Sequence, residues 1–270
     1  MEPSTVTFAR DERGGVTVLL DGHQQSYVDP ADPTVLAFEY VAQMGLALDA
    51  LAPPGPLAVT HVGGAGLTLA RYVAATRPGS PQIVLEPDEA TTSAVRRELP
   101  LRRGHRIRVR AVDGAAGMRV LAAASAGVVF LDAYAAGRVP PELGAVEFLG
   151  DVARVLGPWG LLIANFADER DGRYVARVAA GCIAAGLPEL ALLATHDVLK
   201  GRRFGNRVLV ASATTYDVGK LRRAAARCPH PTGVRAGGEL ARRLGGVAPF
   251  TAADAEASPQ PPDPSTWRRT

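Results

Sequence analysis

Between Val59 and Ala74 the chain reads VTHVGGAGLTLARYVA: an apolar run, then Gly63, Gly64 and Gly66, then a helix-like stretch. Glycines let a backbone turn sharply and let a ligand lie close against it, and a helix start offers unpaired N–H groups. Downstream, three β-rich runs each end in an acid: Glu86 in VLEPD, Asp113 in VDG and Asp132 in LDAY. A carboxylate about twenty residues beyond a glycine loop can accept from both ribose hydroxyls. Asp113 is placed to meet an adenine amino group, and Asp132 to stand at the mouth of the site. Any one of these acids is equally a helix cap. Together, on a glycine-loop sheet, they predict a nucleoside pocket. The spacing is GGxG rather than the dinucleotide GxGxxG, and no lysine near the loop could neutralise a pyrophosphate, so NAD and ATP are disfavoured.

Other polar residues read less sharply. His61, just before the glycines, is a proton shuttle or, in preference, a packed core histidine. Asn165 and Asp168, in IANFADE, either face a second substrate across the cleft or cap the next helix. His196 and Asp197 suit surface or packing roles, and Trp159 local packing after a turn. No metal site is expected, because the carboxylates are dispersed and no histidine pair stands at i, i+4. Cys182 and Cys228 form no CxxC pair and read as plain thiols.

The elements that must position these groups have a rhythm. LAVTHV, QIVLEP, IRVRAV, GVVFLDAY and LLIANFA are strand-like, and helix-like runs at 69–76, 89–99, 115–124, 141–156 and 173–185 fall between and after them. Alternating β and α with short links predicts a parallel sheet covered on both faces. ELALLATHDVL and NRVLVASAT come next, joined by the short KGRRFG, and should pair antiparallel. The expected fold is therefore α/β, a methyltransferase-like Rossmann sheet whose parallel strands are closed by an antiparallel hairpin. Ahead of it, TVTFA and GVTVLLDG, split by RDERGG, predict a small N-terminal β-hairpin within residues 1–30. DPTVLAFEYVAQMGLALDAL predicts a helix capped by Asp32, with Pro33 in its first turn and positions 36, 40, 44 and 48 on one face. Residues 31–250 are expected to form the nucleoside-binding domain. Residues 251–270, rich in Pro, Ala and acid, are expected to be a disordered tail.

Bulk composition agrees with one large globular unit: 270 residues, 47% hydrophobic, net charge +3. No apolar run approaches the roughly 20 residues of a membrane span, and the N-terminus shows no leader pattern, so a cytoplasmic protein is expected. The arginine clusters at 96–110 and 220–227 lack interleaved aromatic residues and read as solvated faces, not as a nucleic-acid surface.

These motifs, in this order, resemble the spermidine synthase family of aminopropyltransferases from about residue 16 to about residue 212. LLDGHQQSYVD resembles the family's first strand leading into the site, with Gln25 at its glutamine. LAFEYVAQM resembles the helix carrying a substrate tyrosine, here Tyr40, and HVGGAGLTLAR resembles the glycine loop. VLEPDEA resembles the ribose strand with Glu86, VDGAAGM the adenine-side Asp113-Gly114, and VVFLDAYAAGRVPPEL the segment bearing the catalytic aspartate, here Asp132. The set resembles still more the divergent spermidine-synthase-like proteins of high-GC bacteria. The resemblance implies in-line displacement on decarboxylated S-adenosylmethionine by an amine, with Asp132 as base, Tyr40 and Tyr134 lining the amine channel, and methylthioadenosine leaving. It also implies dimers or tetramers, so a homodimer is an expected assembly.

The chain departs from that pattern on the amine side. The family's loop aspartate is absent from Gly64-Ala65-Gly66, its second aspartate is Ala135, and its glutamine after the tyrosine is Val41. Each lost contact to an ammonium is worth about 1.5–3 kcal/mol. Two other functions stay open: a methyltransferase using intact S-adenosylmethionine on a small molecule, and a non-catalytic nucleoside-binding protein. Small side chains at Ala133, Ala135 and Ala136 leave room for an acceptor bulkier than a diamine.

Overall fold

The computed structural model describes residues 5–244 and 246–262. Its centre is an eight-stranded sheet whose strands, from edge to edge, are Thr232–Ala236 (β11), Glu189–Thr195 (β9), Gly205–Ser212 (β10), Leu156–Asp168 (β8), Ala126–Leu131 (β7), Val59–Val62 (β4), Gln82–Leu85 (β5) and Ile107–Arg110 (β6). The strands β4 (Val59–Val62), β5 (Gln82–Leu85), β6 (Ile107–Arg110), β7 (Ala126–Leu131) and β8 (Leu156–Asp168) run parallel. Every residue of β4 and β7 is buried, as expected of strands covered on both faces. The predicted closing pair is present as β9 (Glu189–Thr195) and β10 (Gly205–Ser212), with β10 antiparallel to both β9 and β8.

Helices α2 (Thr68–Thr76), α3 (Glu89–Glu98), α4 (Gly114–Arg119), α5 (Val146–Val155) and α6 (Arg173–Ala184) cover the sheet near where periodicity places them. Two separate apolar clusters fill the layers. Val129, Leu131, Phe148, Leu162 and Phe166 belong to one, and Met44, Leu48, Val128, Phe130 and Ile163 to the other. Adjacent residues of β7 and of β8 thus point into opposite layers, which is the period-two signature of a doubly covered strand.

One expectation is extended and two are corrected. The N-terminal hairpin is present as β1 (Val6–Arg10) antiparallel to β2 (Val16–Leu20), and a third strand, β3 (His23–Val28), completes an antiparallel sheet. Asp21 and Gly22 both take positive φ, 50° and 80°, in the two-residue turn that Asp-Gly favours between strands. The first helix, α1, runs from Glu39 to Leu51 instead of starting at Asp32. Asp32 does cap, but it caps a local turn: its carboxylate accepts from the Thr34 N–H and hydroxyl. Residues 251–262 are not a loose tail. Phe250 and Ser258 have no exposure, Arg177 lies over the Phe250 ring, and Arg138 donates to the Ala257 and Ser258 carbonyls. Arg138, on the carbonyls of Ala257 and Ser258, and Arg177, on the Asp254 carboxylate, hold this stretch in place of the apolar side chains it lacks. Residues 263–270 of the expected tail lie outside the described residues.

Beyond the predicted elements, the chain adds α7 (His196–Leu199), α8 (Val218–Ala225), the edge strand β11 (Thr232–Ala236) and α9 (Gly238–Leu244). No helix among the described residues is long and apolar enough to cross a membrane.

Candidate active site

The sheet reverses direction of growth at β4, which has β5 on one side and β7 on the other. Ligands in open α/β sheets bind beyond the carboxyl ends of strands at such a point. Here the carboxyl ends of β4 and β7 lead into Gly63 and Asp132, and the Asp132 N–H donates to the Val62 carbonyl at 2.9 Å. A cavity of about 1620 Å³ opens above them. That is larger than the roughly 300–1,000 Å³ typical of a pocket for one small ligand.

The glycine loop is built by its neighbours. Gly63 has φ +87°, and a Cβ there would stand 2.2 Å from the Asp132 carbonyl oxygen. Gly66 lies against Ser26 of β3, and its N–H donates to Ser26 Oγ at 3.0 Å. The loop therefore needs glycine for its turn and its packing. Its amides also point inward: Gly64 N–H and Ala65 N–H donate to Glu86 Oε2 at 2.9 and 3.3 Å, while Asp88 N–H donates to Oε1 at 3.0 Å. A carboxylate oxygen has a second lone pair, so Glu86 retains capacity for hydroxyl donors.

Asp113 caps α4, its Oδ1 accepting from Ala115 and Ala116 N–H at 2.9 and 3.0 Å, and it also lines the cavity with Gly114. Gln25 and Tyr40 line it as well. The cavity thus gathers all the residues that the sequence singles out for donor and acceptor, apart from Gly66, which stands behind the loop against Ser26.

Asp132 is half-buried at the cavity floor. Asn165 Nδ2 donates to its Oδ1 at 3.0 Å, and the Tyr40 hydroxyl donates to the same carboxylate. Removal from water pushes its pKa up to about 6, with the two hydrogen bonds pulling the other way. Asn165 is 1% exposed, and its Oδ1 has no partner among the described residues. Tyr134, by contrast, turns its hydroxyl to β8, accepting from Ala167 N–H at 3.0 Å and approaching the Asn165 carbonyl at 3.5 Å. It shapes the wall, and its hydroxyl is engaged by backbone.

Of the remaining residues, His61 is packed: Nε2 meets Gln82 Oε1 at 2.8 Å, the ring stacks on Phe130, and burial pulls its pKa down to about 4. Asp168 caps α6 from within, accepting from Val175 N–H at 2.8 Å. Trp159 covers Gly127 at the opposite end of β7. Sequence reasoning does not single out Ser26, Gln43 or Gln260. Gln43 is 1% exposed, and it lines the cavity one helical turn beyond Glu39. A glutamine within the apolar run of α1 is the available signal. Ser26 and Gln260 carry none. Among the described residues, no group of three or more His, Cys, Asp or Glu is placed to hold a metal ion.

The same architecture recurs in solved structures. A probable spermidine synthase from Corynebacterium glutamicum ATCC 13032 superposes with a TM-score of 0.85 at 26% identity, covering 97% of each chain. The spermidine synthase from Thermotoga maritima gives 0.57 at 16% identity, over 85% of this chain and 76% of its own. Human methyltransferase-like protein 13, solved in complex with SAH, gives 0.51 at 21%, over 76% and 90%. No protein-family model and no curated protein matches the sequence. The chain has the methyltransferase-like Rossmann fold that these transferases share.

Proposed function

We propose that this chain is a spermidine-synthase-like transferase that moves an aminopropyl group from decarboxylated S-adenosylmethionine to an amine. The observation that carries the reading is the pairing of a cavity-floor carboxylate, Asp132, with an unpartnered buried acceptor, Asn165 Oδ1. A neutral amine has a lone pair to attack with and N–H groups to give; Asp132 and Asn165 Oδ1 both accept N–H. The lining also carries Asp21, Glu39, Glu86, Asp113, Asp132 and Glu142 against one guanidinium, Arg203, which favours cationic ligands.

In the proposed reaction the amine nitrogen forms a bond to the aminopropyl carbon as the carbon–sulfur bond breaks. The bonding pair stays on sulfur, and methylthioadenosine departs. The nitrogen's surplus proton passes to Asp132, which with a pKa near 6 is mostly ionised at neutral pH and can accept it. Glu86 holds the ribose hydroxyls, Asp113 faces the base, and the Gly64–Ala65 amides keep the loop against the sugar. Asn165 and Tyr40 orient the Asp132 carboxylate and, as donors, keep it charged.

A methyl-transfer reading has one observation of its own. The loop Gly63–Gly66 contains no acidic side chain that would repel the carboxylate of intact S-adenosylmethionine. Supplying each donor separately with a panel of amines, and weighing the acceptor afterwards, separates the two. An acceptor heavier by one aminopropyl group supports the first reading; one heavier by a methyl group replaces it with the second.

A further inference from the structure

The C-terminal stretch after Phe250 reaches back to the loop beyond Asp132. Arg138 donates through Nε and Nη2 to the Ser258 and Ala257 carbonyls. Val139 N–H donates to Ser258 Oγ at 2.9 Å, and Ser258 N–H returns to the Val139 carbonyl at 3.1 Å. Ser258 has no exposure, so its two bonds to Val139 are shielded from water. Lower down, Arg177 pairs with Asp254, and Ala252 N–H donates to Glu147 at 3.0 Å. The stretch from 250 to 258 is thus held at both ends, and its direction beyond Ser258 is set.

Past the clamp, the chain enters the site. Gln260, Pro261 and Pro262 line the same cavity as Asp132. A Cβ built on Gly137 would lie 3.8 Å from Gln260 Nε2, so the amide stands over the tight turn Ala135–Arg138 on the Asp132 loop. Gln260 is exposed, and its side-chain amide makes no hydrogen bond among the described residues. Tyr134 on this loop has its hydroxyl engaged by the β8 backbone, and the other side chains between Asp132 and Arg138 are small: Ala133, Ala135, Ala136 and Gly137. They offer an incoming amine nothing polar, whereas Gln260 does. Two prolines directly after it stiffen the wall it belongs to.

We propose that residues 257–262 form the acceptor-facing wall of the cavity and that Gln260 is a specificity-determining residue, its amide meeting the part of the acceptor remote from the attacking nitrogen. This rests on the aminopropyl-transfer reading for the name of the acceptor, but the wall itself can be tested by binding alone. A neutral amide there tolerates amines whose far end is neutral as well as cationic. Changing its charge should change that choice.

The test is equilibrium binding of putrescine and of propylamine to the full chain saturated with methylthioadenosine. Gln260→Glu should tighten putrescine about tenfold relative to propylamine, and Gln260→Lys should weaken it by a similar factor, the range expected for one charged hydrogen bond. Methylthioadenosine affinity should stay unchanged in both. A chain ending at Pro262 should behave as the full chain, and one ending at Pro259, which keeps the Ser258 clamp but lacks the wall beyond it, should bind both amines more weakly with methylthioadenosine affinity unchanged. Equal putrescine-to-propylamine ratios in all variants, or no amine binding in any, would overturn the proposal. If the ratios move as expected while neither donor supports turnover, the wall stands and the transfer reading falls.

Discussion

Asn165 reaches across from β8 to β7, its Nδ2 donating to Asp132 Oδ1 at 3.0 Å while its own Oδ1 stays unpartnered among the described residues. One amide therefore does two things. It stabilises the ionised carboxylate, and it leaves a buried acceptor beside it, which in the proposed reaction would take an amine N–H. Asn165→Ala should raise the Asp132 pKa above 6, because a donor to the charged form is lost while burial remains. The acid limb of the rate profile should then move to higher pH, with the plateau lowered; an unmoved limb would show that the contact does not tune the base.

Replacing Asp132 itself should remove the limb altogether. Asp132→Asn is expected to lower turnover by about 10²–10⁴, the range for a positioned base. The same variant should gain stability. A carboxyl whose folded pKa is raised is destabilising once pH exceeds its unfolded pKa, and the full penalty is present above its folded value near 6. Thermal melts at pH 8 and pH 4 should show a clearly larger gain at pH 8.

Glu86 binds the loop amides in the protein alone, so Glu86→Gln should weaken nucleoside binding about tenfold or more and loosen residues 63–66 together. Calorimetry with methylthioadenosine reads the first effect, and amide exchange at the loop reads the second.

The glycine loop also carries a stability prediction. Gly63→Ala forces a Cβ to 2.2 Å from the Asp132 carbonyl at a φ of +87°. A loss on the order of 3 kcal/mol or more is expected in urea melts. A neutral result would mean that the β4 and β7 ends are not packed as described.

The parallel sheet, its order of helices and the acids at strand ends are legible in the sequence, because period-two apolar runs and Gly-to-acid spacing are local signals. His61 can be weighed correctly as a packed residue for the same reason: it lies inside a strand that is apolar on both faces. The hidden features are non-local. Ser26 supports Gly66 from forty positions away, and Ser258 clamps Val139 from more than a hundred. A Pro- and Ala-rich stretch with no apolar pattern gives no hint that Arg138 will hold its carbonyls and Arg177 its Asp254 carboxylate. Edge strand β11 escapes pattern reading because TGVRA is short and only half-buried. The third N-terminal strand is a different case, since the Asp-Gly turn that adds β3 is a local signal, but HQQSYV is too polar to read as a strand by itself.

The most direct test of aminopropyl transfer is the identity of the leaving nucleoside. Wild-type protein and Asp132→Asn are incubated with decarboxylated S-adenosylmethionine and with S-adenosylmethionine over a mixture of small amines, and the products are read by mass spectrometry. Aminopropyl transfer predicts methylthioadenosine, formed only from the decarboxylated donor and lost in Asp132→Asn. S-adenosylhomocysteine from the intact donor, with no methylthioadenosine from the other, would contradict it.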